Sequence, residues 1–434
     1  MIIRGNALAL PLRDACVDLI VTSPPYFALR SYRDGDEHYE GQLGSEETPG
    51  AFVDALIETT REMVRVLKPT GSIFVNLGDK YAGSGGHNNG GLTGATSSLK
   101  NPNRAADRTR IDQATRRNAA DRYNQNSDGI RPKSLMGLPW RYAIGCVDQL
   151  GLILRRDLIW HKPNGLPESV TDRCRTSHEY WFHLTKRGRY FTALDEIREP
   201  HKYPDHHQNG TTVIRTRPAS QEPGDEALRD NGGVFHSRES FRALDPRGKV
   251  PGSVWTVPSE PLMVPDVVRD HYDLPDHFAA FPQEWPRRLI LGWSPSGICT
   301  ACGEGRRPVT EKTEELDHES PGMAGGKRRD ATEPDSNGRG YNAPGRAVTR
   351  TAAIITGYAC ACDVPIAPTR PAVVLDPFGG TGTVAMVARA LGRTGINADL
   401  SGDYCRLARW RIYESGHAAK SEERTWRDAQ GAML

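Results

Sequence analysis

No stretch of this 434-residue chain approaches the roughly 18 consecutive apolar residues that a membrane-spanning helix needs. The first residues, Met1-Ile2-Ile3-Arg4-Gly5-Asn6, lack the charged start, apolar stretch and cleavage site of a secretory signal. A soluble, cytoplasmic protein with no membrane association is the expectation. Net charge is scarce too: 56 lysines and arginines face 54 acidic residues, leaving +2. The chain is not a polycation, so any surface that meets nucleic acid must be local. No internal repeat occurs, which excludes a stacked-repeat architecture.

What is present points to an α/β fold. Hydrophobic residues make up 37% of the chain, with 44 glycines and 31 prolines, so a packed core interrupted by long loops is expected. Length allows two or three domains. Residues 17–22 (Val-Asp-Leu-Ile-Val-Thr) read as a buried strand. Residues 51–68 carry Phe52, Leu56, Met63 and Leu67 at near-helical spacing, and Lys68-Pro69-Thr70-Gly71 stops that helix. Residues 72–77 form the next strand. Strand, helix and strand in succession imply a mostly parallel sheet. The spacing further predicts a helix over 135–150, strands over 152–160 and 180–185, and a strand–loop–helix–strand from Val373 to Leu400. Three stretches break the pattern. Residues 83–133 are polar, with nine basic and four acidic side chains from Lys100 to Lys133, fitting a solvated linker or a nucleic-acid-contacting loop. Residues 201–260, with His201, His206 and His207, do not look like sheet core. Residues 303–350 read as an exposed loop.

Two segments carry chemistry. Val373-Val374-Leu375 runs into Asp376-Pro377-Phe378-Gly379-Gly380-Thr381-Gly382, followed by Thr383 and a helix. Glycines after a buried strand let backbone approach a cofactor closely, and the helix offers free N–H groups. Asp399 ends the next strand about twenty residues on, where an acid holds ribose hydroxyls. A dinucleotide site normally wants G-x-G-x-x-G, which this loop does not supply. A turn needed only for helix–strand packing is the plain alternative. The second segment, Ser23-Pro24-Pro25-Tyr26, ends the strand at 17–22. Two prolines stiffen it, leaving carbonyl oxygens near Ser23 and Pro24 as acceptors. An exocyclic base amine presents two N–H donors, and its lone pair is delocalised into the ring. Accepting both protons pushes the nitrogen toward tetrahedral geometry and frees the lone pair, while Tyr26 stacks on the base. Such a base must be flipped out of a duplex. Alone, this segment also fits a Pro-Pro turn beside a core tyrosine.

The cysteines divide into two sets. Cys16, Cys146, Cys174 and Cys405 are isolated and read as small core residues. Cys299-Thr300-Ala301-Cys302 and Cys360-Ala361-Cys362 supply four thiolates, enough for tetrahedral zinc, with Gly303 supporting the turn after the first pair. A filled set of four thiolates leaves no open position, so the expected Zn2+ is structural.

With these residues in view, the chain resembles the amino-methyltransferases of DNA, the S-adenosylmethionine-dependent enzymes that make N4-methylcytosine or N6-methyladenine. Thr22-Ser23-Pro24-Pro25-Tyr26 resembles their catalytic motif and Asp376–Thr383 their cofactor motif. Slot before donor loop is the circularly permuted order of the family's beta group. Gly5-Asn6 stands where the family usually has Gly-Asp near the cofactor adenine. Trp160-His161-Lys162-Pro163-Asn164 and Arg175-Thr176-Ser177-His178-Glu179-Tyr180 resemble segments around the base pocket. His277-Phe278-Ala279-Ala280-Phe281-Pro282 with Arg287-Arg288-Leu289-Ile290 is similar to a cofactor-side motif.

The resemblance implies a Rossmann-like methyltransferase fold with a mostly parallel sheet and loop insertions. It divides the chain into a catalytic-motif half (1–82), a flexible basic insertion (83–133), core continued (134–200), a target-recognition region (201–260), a cofactor-side motif (270–298), a four-cysteine zinc element with a disordered loop (299–362) and an S-adenosylmethionine-binding half (370–420). Implied catalytic residues are Ser23, Pro24, Pro25 and Tyr26. Implied cofactor residues are Asn6, Phe281, Pro282, Asp376, Pro377, Phe378, Gly379, Gly380, Thr381, Gly382, Thr383 and Asp399. Double-stranded DNA is the implied partner, and a cognate restriction nuclease stays open. Arg215-Thr216-Arg217 is placed to reach base edges or phosphates. A serine before Pro-Pro, as at Ser23, is more typical of the cytosine-N4 enzymes; adenine-N6 is the alternative. No cysteine follows a proline, which argues against the Pro-Cys nucleophile of C5-cytosine methylation and the Pro-Cys-x-x-Cys of zinc deaminases. A non-catalytic DNA-binding protein on the same fold is the more remote alternative, disfavoured by intact Ser23, Tyr26, Asp376 and Asp399.

Overall fold

The computed structural model describes residues 1–28, 33–34, 37–38, 42–83, 128–165, 168, 170–200, 245, 247–262, 264, 266, 269, 281–316, 349–362, 364 and 367–414. Two units divide the chain: Met1–Glu196 with Gly252–Arg307 and Ala359–Leu434, and Ile197–Pro251 with Pro308–Tyr358. The basic stretch at 84–127, Arg215-Thr216-Arg217, the three histidines at 201, 206 and 207, and 277–280 of the cofactor-side motif lie outside the described residues.

An eight-stranded sheet organises the first unit. Its strands in chain order are β1 (Ile2–Arg4), β2 (Val17–Thr22), β3 (Leu67–Leu77), β4 (Ile153–His161), β5 (His178–Thr185), β6 (Val254–Thr256), β7 (Val373–Asp376) and β8 (Thr394–Asp399). In space they run β1-β8-β7-β2-β3-β5-β4-β6. Only β5 opposes its neighbours; every other pairing is parallel. This is the α/β, mostly parallel sheet that the sequence implies. Strand β2 is buried along its whole length, which is why it reads as a continuous apolar run. Its one charge, Asp18, is satisfied by Lys68 Nζ at 2.6 Å and by the Val373 N–H at 2.9 Å. The latter bond ties β2 to β7 across 355 residues of sequence, and Val374 and Leu375 lie opposite Leu19 and Ile20. Since β2 and β7 are parallel neighbours, the loops that follow them emerge side by side at the same edge of the sheet.

The helices cover this sheet for reasons visible in their sequences. Thr48 caps α1 (Pro49–Val66) by accepting the Ala51 N–H, and Pro49 opens its first turn. Phe52, Val53, Leu56, Ile57, Met63 and Val66 recur every three or four residues and are buried. Each such side chain contributes roughly 1.5–3 kcal/mol by leaving water. Helix α2 (Leu138–Leu150) buries Leu138, Tyr142 and Cys146 one turn apart and ends at Gly151 in the left-handed region. The two helices share a buried hydrogen bond of 2.8 Å between Thr60 Oγ1 and Tyr142 Oη. Helices α3 (Glu284–Trp293), α4 (Thr383–Ala390) and α5 (Gly402–Arg409) complete this unit's described α-helices.

The structure corrects several expectations. Residues 254–256, expected outside the sheet, form edge strand β6 paired with β4; Trp255 is buried against Trp285. The polar, proline-punctuated surroundings hid a strand only three residues long. The helix expected to run to residue 68 ends at Val66, and β3 has begun at Leu67; residues 68–71 leave the ladder as a bulge between the Val17–Leu67 and Leu19–Ser72 pairs. Residues 303–350 are not loop throughout: Arg307–Leu316 pairs with Thr349–Ala359 as a two-stranded ribbon in the second unit, residues 317–348 lying outside the described set. The same unit holds an antiparallel bridge between Glu199 and Lys249 and an ion pair between Arg198 and Asp245 at 3.3 Å. Cys174 is exposed and Cys16 and Cys405 half-buried; of the four isolated cysteines only Cys146 is a core residue. Among the described residues no helix is long and apolar enough to cross a membrane.

Candidate active site

A cavity of about 810 Å³ opens where the loops after β2 and β7 leave the sheet. That volume lies within the usual range for a site holding a cofactor-sized molecule. Ser23, Pro24, Pro25 and Tyr26 line it, as do Asn6, Phe281, Pro377, Phe378, Gly379, Gly380, Thr381, Thr383 and Asp399. Two segments 350 residues apart in sequence therefore face one space. Asp376, Gly382 and Pro282 are not on its wall.

The donor loop is held from behind. Asp376, fully buried, accepts Thr22 Oγ1 at 2.7 Å and the Phe378 N–H at 3.1 Å. Thr22 is the last residue of β2, so one hydrogen bond links the strand carrying the slot to the base of the donor loop. Burial, opposed by these two hydrogen bonds and assisted by the charge of Asp399, pushes the Asp376 carboxyl up to about 7. Asp399 accepts the Gly380 N–H at 2.8 Å and the Ser401 N–H at 2.9 Å, closing the loop against the start of α5; burial raises its carboxyl as well. Beneath the loop, Arg411 donates to Thr381 O (2.8 Å), Thr381 Oγ1 (2.7 Å) and Thr383 Oγ1 (3.0 Å), and burial lowers its guanidinium to about 10. Two glycines are sterically required. A Cβ on Gly379 would come within 2.0 Å of Asn397 Oδ1, and Gly382 has φ of +82° with Ala408 Cβ 2.9 Å from any added Cβ.

The slot is held differently. Asn76, at the end of β3 and 1% exposed, donates through Nδ2 to Tyr180 O at 3.0 Å. Its Oδ1 then faces Ser23 Oγ at 3.2 Å and Tyr26 Oη at 2.9 Å. Tyr26 Oη is also 2.9 Å from Glu179 Oε2, and Lys162 Nζ pairs with Glu179 Oε1 while lying 4.0 Å over the Trp160 ring. Trp160, Lys162 and Glu179, from the two segments with a family resemblance, also line the cavity. Asn76 and Arg411 were missed by the sequence reading. Asn76 sits in a strand that reads as core, one residue before a leucine; a buried asparagine at a strand's carboxyl end was the available signal. Arg411 lies beyond every motif and carries no signal in sequence.

The four clustered cysteines are free thiols whose sulfur atoms all lie within 4.8 Å of one another. Cys299–Cys362 is 3.7 Å and Cys360–Cys362 3.4 Å. A zinc tetrahedron with Zn–S of about 2.3 Å has edges near 3.8 Å, so the set fits that ion.

A mostly parallel α/β sheet with a glycine-rich loop and a Ser-Pro-Pro-Tyr turn leaving adjacent strands into one cavity is an arrangement in which α/β proteins hold ligands. A family model described as DNA methylase matches residues 17–299, and the chain belongs to that family. It is 37% identical over 184 residues to the Type II methyltransferase M.SmaI of Serratia marcescens, covering 42% of this chain and 54% of that one. It is 38% identical over 200 residues to the Type II methyltransferase M.XycI of Xanthomonas campestris pv. cyanopsidis, covering 45% and 58%. The matches thus span little more than half the length of these relatives. Among solved structures, a PvuII DNA methyltransferase (cytosine-N4-specific) aligns over 98% of this chain and 91% of its own at 14% identity and a TM-score of 0.48.

Proposed function

We propose that this protein methylates an exocyclic base amine, cytosine N4, at a specific site in duplex DNA. The observation that carries the reading is the shared cavity: an acceptor slot and a glycine loop on adjacent parallel strands, facing one space. S-adenosylmethionine, when bound, supplies a sulfonium methyl for direct in-line transfer. Pro377, Phe378 and the glycines would hold its methionine end and Asp399 its ribose, with Asn6 and Phe281 toward its adenine. Asp376 would act from behind the wall, through the loop. Ser23 Oγ and the Pro24 carbonyl would accept the amine protons, and Tyr26, its hydroxyl tethered, would stack on the flipped base. No enzyme nucleophile is required.

Ser23 favours cytosine over adenine, in keeping with the resemblance. The site's residues do not spell a DNA sequence; residues 201–260 and the basic stretch at 100–133 are the proposed readers, and a cognate restriction nuclease the proposed partner. The test is to map methylated bases in DNA from cells expressing the protein. N4-methylcytosine at one sequence supports the reading; N6-methyladenine replaces the base assignment; no methylated amine overturns it. We also assign a structural Zn2+ to Cys299, Cys302, Cys360 and Cys362. Elemental analysis should find one zinc per chain, lost in Cys299→Ser/Cys360→Ser; a metal-free, equally stable wild type overturns the assignment.

A further inference from the structure

Amine methylation sets a demand on Ser23 that its hydroxyl alone does not meet. A serine can donate or accept. A hydroxyl that donated toward the incoming amine would compete for the lone pair that must attack; one that accepts an amine proton frees it. Something must direct the Ser23 proton away from the cavity.

Asn76 is placed to do so. Its amide orientation follows from chemistry: the Tyr180 carbonyl cannot donate, so the group 3.0 Å from it is the NH2. The opposite atom, Oδ1, is purely an acceptor, and Ser23 Oγ lies 3.2 Å away. The only proton Ser23 can place on that line is its own. With that proton spent, both remaining lone pairs of Ser23 Oγ are available to a donor in the cavity. Tyr26 does not compete. Its single proton has two acceptors at 2.9 Å, Asn76 Oδ1 and Glu179 Oε2. The carboxylate, held by Lys162, is the stronger by about a factor of two. Asn76 therefore serves Ser23, and Glu179 serves Tyr26.

We propose that Asn76 is a positioning residue that fixes the polarity of Ser23, turning its hydroxyl into an acceptor for the substrate amine. The inference rests on the amine-methylation reading above. It goes beyond that reading by splitting the slot into two independent pairs, Asn76–Ser23 and Glu179–Tyr26.

The experiment is a pair of double-mutant cycles on the full chain, measuring single-turnover methyl transfer to duplex DNA, with S-adenosylmethionine affinity measured separately by calorimetry. Asn76→Ala should lower the transfer rate 10- to 100-fold while the donor Kd moves less than twofold. In a Ser23→Ala background the same change should cost less than threefold, and in a Tyr26→Phe background it should cost its full 10- to 100-fold. A purely structural role lowers the rate equally in every background and overturns the proposal; so does coupling to Tyr26 rather than Ser23. If Asn76→Ala does not fold, Asn76→Asp, which keeps an acceptor at the same place, decides: at least a tenth of the wild-type rate supports the proposal, and a rate as low as that of Ser23→Ala overturns it. A wild type that methylates no DNA overturns the functional reading and this inference with it. An active wild type with additive variants removes only the role of Asn76.

Discussion

The donor loop and the amine slot leave neighbouring parallel strands, yet they are held in opposite ways. The loop rests on buried ionisable groups: Asp376, Asp399 and Arg411 sit under or behind it with polar atoms spent on its backbone and hydroxyls. The slot rests on an amide and two hydroxyls, with the Lys162–Glu179 ion pair at the cavity wall. Charge buried away from water is costly unless satisfied, and it titrates. Neutral hydrogen bonds cost less to bury but fix which atom donates. The donor half should therefore answer to pH and to the loss of single supports, whereas the slot should answer to the identity of donors and acceptors with stability little changed.

The sharpest break is Gly379→Ala. The added methyl would overlap Asn397 Oδ1, at 2.0 Å, so the loop must move off its strand. Donor affinity should fall at least 100-fold by calorimetry, a loss of about 3 kcal/mol at the usual tenfold per 1.4 kcal/mol. Asn397→Ala should restore part of it, since removing the obstructing amide opens the space. A Gly379→Ala protein that binds donor normally would show that the loop is not the donor site.

Next in size is a pH effect confined to the donor half. The Asp376 carboxyl titrates near 3.8 when unfolded and at about 7 when folded, so the folded state holds its proton more tightly. The stability this group contributes is complete below about pH 4 and is lost as pH rises through 7. The loss is on the order of 4 kcal/mol. Asp376→Asn keeps an acceptor for Thr22 but cannot ionise. Its stability relative to wild type, from urea unfolding of the donor-free protein, should rise between pH 5 and 8. A constant difference across that range would place the ionisation elsewhere.

The same contrast explains what could be read from sequence. Loops leaving buried strands announce themselves, because continuous apolar runs such as Val17–Thr22 must stop at residues of special geometry. Ser23-Pro24-Pro25-Tyr26 and Asp376–Thr383 were both legible for that reason. Their supports were not. Asn76 lies across the ladder from the slot, Thr22 being paired with Val75, and that adjacency exists only once β2 and β3 align. Arg411 reaches Thr381 from 30 residues away. Strand β6 was illegible on other grounds: three residues among polar neighbours carry no periodicity, and only Trp255 buried against Trp285 betrays them.

Arg411→Met tests the support beneath the loop. It removes a charged donor whose Nη1 shares two protons among three acceptors, each full bond worth about 1.5–3 kcal/mol, while relieving the cost of burying a guanidinium. A net loss of about 2 kcal/mol in unfolding free energy is expected, with weakened donor binding and DNA binding unchanged. The smallest effect belongs to the slot. Lys162→Met keeps an apolar side chain of similar length but removes the ammonium over the Trp160 ring and leaves Glu179 without its cation. Since both side chains are about a fifth exposed, water replaces part of the lost contact, and stability should change by less than about 1 kcal/mol. The transfer rate should still fall roughly 3- to 10-fold, because an unpaired Glu179 no longer holds the Tyr26 hydroxyl in one place. If stability drops instead and the rate per folded molecule holds, the slot is supported by charge after all, and the two halves of the site are built alike.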